Sequence, residues 1–183
     1  MKSTLVLAEA TVRDLDQIMD MEVKGFDPEN QERRELYELR IRTFRQGSLM
    51  AYSGSECVGC FFSEIWKESS IPAVEHFTLG HDILKRHDPE LGTVLYISSM
   101  TINPAFRGKG LGSQLLPGCI DRVAALFPQL TCALLLVNET WRHARGIYEA
   151  AGFKELVRFK HFFKPYGTAH EDGIVMRRAI QGN

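Results

Sequence analysis

"INPAFRGKGLGSQLL" (102–116) sets a proline, two cations and three glycines between an apolar run and a helical stripe. Upstream, "TVLYISSMTI" (93–102) reads as a strand. Downstream, Leu111, Leu115, Leu116, Ile120, Val123 and Phe127 recur at helical spacing. A strand, a tight glycine-rich turn and a helix N-terminus leave backbone amides unpaired at the positive end of a helix dipole, which is an anion site. Two phosphate motifs fail here on residue identity. A P-loop requires G-x-x-x-x-G-K-[ST], which the chain lacks, and a Rossmann fingerprint starting at Gly108 meets Ser113 where glycine or alanine is needed.

Working outward from this turn, Leu5 to Ala8 reads as a first strand. Thr11 then caps a helix with apolar positions Val12, Leu15, Met19 and Val23. Asp27-Pro28 predicts the start of a second helix, whose buried stripe is Tyr37, Ile41 and Phe44 and which ends near Gly47. Strands over 49–53 and 57–65 flank the turn "SGSE", and 67–92 reads as a long loop with one short helix. Pro117 inside the 111–127 stripe predicts a kink, or a break with restart at Gly118. "CALLLV" (132–137) is a buried strand. Ala144, Ile147, Tyr148 and Ala151 share one face of a helix that stops at Gly152, and strands over 156–164 and 173–178 finish the chain.

The bulk composition narrows the partners. The chain has 183 residues, 44% of them hydrophobic, and its 22 Lys+Arg balance 23 Asp+Glu with no basic run. Neither a nucleic-acid nor a membrane partner is expected, and the absence of a leader-like segment predicts a cytoplasmic protein. Cys57 and Cys60 form a C-x-x-C, but "VGCFFSEI" continues as a strand rather than opening a helix, and no second pair completes a zinc set. The four cysteines, at 57, 60, 119 and 132, are expected to be structural thiols, with no metal bound.

The pattern left for the turn is R-x-x-G-x-G, met by Arg107, Gly110 and Gly112 directly after "TINPAF". It resembles motif A of the GNAT superfamily, the acetyl-CoA-dependent N-acetyltransferases. "LLLVNETWRHARGIYEAAGF" (134–153) resembles the next strand and helix of that family, and "EDGIVMRR" (171–178) its last strand. The order β-α-α-β-β-β-α-β-α-β-β matches as well, so the likeness covers nearly the whole chain. It implies an α/β (α+β) fold over a single domain, 1–183. The expected sheet is mixed, with about seven strands, splayed between the fourth and fifth and flanked by about four helices.

The resemblance further implies that acetyl-CoA is the cosubstrate and a primary amine the acceptor. Met100 and Ile102 would offer main-chain groups to the pantetheine arm. The amides of Arg107, Gly108, Lys109, Gly110, Leu111, Gly112 and Ser113 would hold the pyrophosphate, with Arg107 and Lys109 adding charge. The family commonly carries Asn where this chain has Trp141, so Asn138 is expected to replace that contact. Acyl transfer through a tetrahedral oxyanion needs a fixed donor, an acid for the departing thiolate and a base for the ammonium. The donor is implied to be an amide near Met100 or Thr101, and the acid Tyr148.

For the base, Glu64 closes a strand bordering the acceptor cleft, and Tyr96 and Ser98 share a face of the neighbouring strand, so a water chain through them is expected. His76, His81 and His87 are expected at the surface. The segment around "SEIW" (63–66), His76 and Phe77 resembles the arylalkylamine N-acetyltransferase branch, although that branch carries histidines in place of Tyr96 and Ser98. Phe26, Trp66 and Phe77 are then expected to contact an apolar amine tail, and Glu64, Glu68 and Glu75 a cationic head. A peptide or protein acetyltransferase and a non-catalytic acyl-CoA sensor fit the same residues, and a homodimer is compatible with them.

Overall fold

The computed structural model describes residues 5–67, 72–164 and 170–180. Its elements are β1 (Val6–Glu9), α1 (Leu15–Gly25), α2 (Arg34–Thr43), β2 (Ser48–Ser53), β3 (Glu56–Trp66), β4 (Val94–Ile102), α3 (Gly112–Leu126), β5 (Cys132–Asn138), α4 (Arg142–Ala150), β6 (Lys154–Phe163) and β7 (Glu171–Ala179). The seven strands form one sheet in the order β1-β2-β3-β4-β5-β7-β6, antiparallel except for the β4–β5 pair. Leu15, Ile18, Met21, Tyr37 and Ile41 of α1 and α2 pack on one face against Met50, Cys60 and Phe62. On the other face Leu115, Leu116, Cys119, Ile120 and Val123 of α3 pack against Phe61, Leu95, Ile97 and Leu135.

Three sequence expectations change. The stripe of α1 runs through Ile18 and Met21, and Val12 and Val23 are exposed, because a three-residue 3-10 turn capped by Thr11 precedes the helix and rotates its face. Pro28 opens only a 3-10 turn, Pro28–Asn30; the chain runs extended through Gln31 and Arg33, and α2 begins at Arg34. Helix α3 passes unbroken through Pro117. A mid-helix proline costs about 3 kcal/mol. Burying each large apolar side chain returns about 1.5–3 kcal/mol, so the five of this stripe outweigh that loss. The segment before β4 holds two 3-10 turns, Val74–Phe77 and Ile83–Lys85, which send Phe77 and Ile83 into the core.

The feature that positions the site is a register shift. Phe62 pairs with Ser99, but Ser63 pairs with Ile97, so Ser98 is an extra residue in β4. Such a bulge bends and twists its strand. Accordingly, β4 pairs with β5 only from Val94 to Ile97, while β5 stays paired with β7 as far as Asn138. The strands therefore part beyond Ile97. The Asn103 amide donates to Val58 O at 2.9 Å, and amides alternate sides along a strand, so those of Ser99 and Thr101 face β3 while those of Met100 and Ile102 open into the gap. This selects Met100, rather than Thr101, as the amide available at the cleft.

Gly59 keeps β3 and β4 close on the other side, because a Cβ there would lie 2.5 Å from Thr101 O. Gly59→Ala should therefore lower unfolding stability by about 1–3 kcal/mol through overpacking, read as a fall in the urea midpoint at unchanged slope.

Candidate active site

A cleft of about 1660 Å³ runs through the splay from the glycine-rich turn to the C-terminal end of α1. At one end, Gly108 and Gly110 adopt φ of +77° and +71°, the left-handed region that disfavours a side chain. No protein atom lies within 4 Å of where a Cβ would sit at either. Among the described residues the amides of Gly108 to Ser113 meet no backbone carbonyl, and α3 begins at Gly112. Bare amides, open space above them and a helix N-terminus suit a pyrophosphate. Arg107 donates from Nε to Ile102 O at 3.4 Å, bracing the turn as well as lining the cleft. Lys109 instead rests its Nζ 4.8 Å from the Phe106 ring centre.

The middle of the cleft holds Met100, Thr101 and Ile102 on one side and Tyr148 of α4 on the other. Helix α4 is set close to α3 by Gly112, since a Cβ there would come within 2.9 Å of Ile147 Cδ1. Burial pushes the Tyr148 phenol up to about 12, so it is protonated at neutral pH and able to donate.

The far half is the candidate acceptor chamber. Phe26, Phe77, Tyr96 and Ser98 line it as expected, and the Ser98 hydroxyl is buried without a partner. Rings connect around it: Phe26 to Trp141 at 5.7 Å, Trp141 to Phe163 at 5.6 Å, Phe163 to Phe162 at 5.0 Å and Phe77 to Tyr96 at 5.3 Å. Beneath them lies a buried polar network. Glu22 accepts from the Glu32 amide and from the Tyr37 hydroxyl, both at 2.7 Å. Glu32 pairs with Arg40 at 3.0 Å, and also accepts from the Gly80 amide at 3.2 Å.

Among the described residues, five expected site residues lie outside the lining. Asn138 spends its side chain on Glu171 at 2.6 Å and on Thr140 at 2.9 Å, which closes the turn after β5. Lys109 turns back on Phe106. Trp66 stacks behind Tyr96 at 4.0 Å and donates to Glu64 at 2.8 Å. Glu64, fully buried, meets His81 Nε2 at 2.6 Å, so His81 and not Glu64 faces the chamber. His81 is thus a lining residue rather than a surface one, and His87 is also structural, its Nδ1 accepting from the Ile65 amide at 3.0 Å. Glu75 lies outside the lining, and Glu68 falls outside the described residues. All four cysteines are free and buried, with burial raising Cys57, Cys60 and Cys119, as structural thiols require. No helix among the described residues is long and apolar enough to cross a membrane.

A sheet split beside a bare-amide turn, with Tyr148 lining the split, offers donors to an anion and to an extended polar arm. The chain belongs to the acetyltransferase (GNAT) family, whose model matches residues 15–153. Many solved structures share the fold, among them the following three. The loading GNATL domain of CurA from Lyngbya majuscula is 15% identical, with a TM-score of 0.76 over 96% of this chain and 98% of that one. The ribosomal-protein-S18-alanine N-acetyltransferase from Escherichia coli is 15% identical, with a TM-score of 0.66 over 97% and 94%. Arabidopsis thaliana Naa50, solved with the bisubstrate analogue CoA-Ac-MVNAL, is 18% identical, with a TM-score of 0.69 over 96% and 99%. A search of curated proteins by sequence finds no match.

Gly110→Val forces a β-branched residue into left-handed backbone and fills the space over the amides. Acetyl-CoA affinity by isothermal titration should fall at least about tenfold, a loss of about 1.4 kcal/mol, with thermal unfolding still cooperative.

Proposed function

We propose that this enzyme moves an acetyl group from acetyl-CoA directly to the primary amine of a small molecule bearing an apolar or aromatic tail. The observation that carries the reading is the acceptor chamber: aromatic rings around its wall and the carboxyl groups of Glu22 and Glu32 at its base. Rings attract a cation through their faces and stack on an apolar tail, while acids favour the ammonium end. The amides of Gly108 to Ser113 hold the cosubstrate's pyrophosphate, and those of Met100 and Ile102 hold its extended arm. The Met100 amide is the donor toward the carbonyl oxygen on which charge develops. Tyr148 protonates the departing thiolate, whose ordinary pKa of about 8.5 lies below that of the buried phenol. That difference makes the transfer uphill by itself, so it is completed when the Tyr148 phenolate takes a replacement proton from water.

A thiol-release assay over arylalkylamines, polyamines, amino acids and short peptides, ranked by kcat/KM, tests the acceptor. Arylalkylamines should lead. Peptides ahead by more than about tenfold, or 1.4 kcal/mol in transition-state binding, would make the chamber a peptide groove, and binding without turnover would make the protein a sensor.

Tyr148→Phe should lower kcat by about 10²–10⁴ at nearly constant KM for acetyl-CoA; a fall under about threefold would return Tyr148 to a packing role.

A further inference from the structure

We infer that Ser99, Tyr37 and Glu22 form a proton-exit relay in which the Glu22 carboxylate is the terminal base for the acceptor's ammonium. The inference rests on the transferase reading above and concerns the group that reading leaves unassigned.

The geometry is continuous. Ser99 lies on β4 between the bulged Ser98 and Met100, at the mouth of the splay, and lines the acceptor chamber. Its Oγ is 3.3 Å from the Tyr37 hydroxyl, which donates to Glu22 Oε2 at 2.7 Å. Tyr37 is held in this line by packing on Phe62, with ring centres 4.7 Å apart. The opposite oxygen of Glu22 is fixed by the Glu32 amide, so the carboxylate cannot swing away from Tyr37.

His81 of the chamber wall and Glu64 behind it are already committed. His81 places Nδ1 3.2 Å from Thr78 O and Nε2 2.6 Å from Glu64, so both ring nitrogens face oxygen acceptors and neither offers a lone pair to a substrate. Glu64 is sealed behind His81 and Trp66.

In the step itself, the acceptor ammonium gives one proton to Ser99 Oγ while Ser99 passes its own to Tyr37 Oη, and Tyr37 passes its own to Glu22 Oε2. The nitrogen keeps the electron pair of the broken N–H bond for attack. Ser99 and Tyr37 end as they began, and Glu22 ends protonated. Because Tyr37 is never left as a phenolate, the strong upward push of burial on its own titration does not obstruct the relay.

The groups facing Glu22 are Tyr37 and Arg40 of α2, Glu32 from the segment between the helices, and Cys60 of β3. Burial is the largest influence and raises the carboxyl above its ordinary value. The Glu32 amide, the Tyr37 hydroxyl and Arg40 pull it down, and the Glu32 charge pushes it up. A base with a raised value is protonated and idle at low pH, so kcat/KM should rise with pH through the Glu22 titration.

The test is kcat/KM against pH for the full chain with saturating acetyl-CoA, using 2-phenylethylamine, spermidine and the dipeptide Ala-Gly as acceptors. Glu22→Gln, which keeps the shape and an acceptor for the Glu32 amide but turns an NH2 donor toward the Tyr37 oxygen, should lose the acidic limb and about 10²-fold in kcat, with the KM for acetyl-CoA changed less than about threefold. Tyr37→Phe should do the same, and the double variant should be no slower than either single one, as for members of one chain of transfer. Should Glu22→Gln fail to fold, Ser99→Ala carries the same test. For any acceptor used, the deficit should shrink when its fluorinated, less basic analogue replaces it, because less of that amine needs deprotonation; loss of packing would not produce this. A limb that persists in Glu22→Gln but disappears in Glu64→Gln overturns the relay and returns the base to β3. Turnover of none of the three acceptors by the unaltered protein overturns the transferase reading, and the relay with it.

Discussion

The site depends on one residue too many in a strand. With Ser98 inserted, β4 cannot follow β5 past Ile97, and the amides of Met100 and Ile102 are left facing a gap. An unmet amide shut away from water costs about 1–3 kcal/mol, so these groups are tolerable only where solvent or an extended polar arm can reach them. The bulge thus does two things at once: it opens the cleft and lines it with donors at strand spacing. The glycine-rich turn follows directly from the same strand, so the second set of bare amides stands at a fixed distance from the first. One chain segment, 98–113, thereby supplies both ends of the proposed cosubstrate site.

The acceptor half is built differently, from elements distant in sequence. Glu22 belongs to α1, Arg40 to α2, Glu64 to β3, and Glu32 and His81 to connecting segments. Removing charges from water is expensive unless each finds a partner, and here each does: Arg40 with Glu32, at 3% and 7% exposure, and Glu64 with His81 and Trp66. Such pairs add little net stability beside an apolar packing of the same volume. Their consequence is placement. Glu32 binds Arg40 and the Gly80 amide with the same oxygen, tying α2 to the segment that carries His81. The chamber wall holds its shape because five pieces of chain must satisfy one another's buried polar atoms.

The errors of the sequence reading have a common cause. The apolar spacing through Val12 and Val23 is ambiguous by one helical position, and only the 3-10 turn after Thr11 decides that Ile18 and Met21 face the sheet. Pro28 satisfies the rule for a helix start, yet the Glu32 amide is drawn to Glu22 and the chain stays extended until Arg34. Glu64 and Trp66 do lie on the strand bordering the chamber, but they bond to each other and to His81 behind its surface. His81 itself sits in a stretch without periodicity, where nothing local marks it as buried.

Local chemistry determined the order of strands and helices and the anion-binding turn, because apolar period, capping and the left-handed backbone of Gly108 and Gly110 are properties of a few adjacent residues. Arg107, Gly110 and Gly112 were readable for that reason, as was Tyr148 on the apolar face of α4. Long-range pairing decided the rest. Which amides of β4 face the gap follows from its register on β3, and Ser99, Tyr37 and Glu22 meet because three separated elements bury their polar atoms against one another. Partners separated by 15 and 62 positions are chosen by the geometry of packing, which no local pattern encodes.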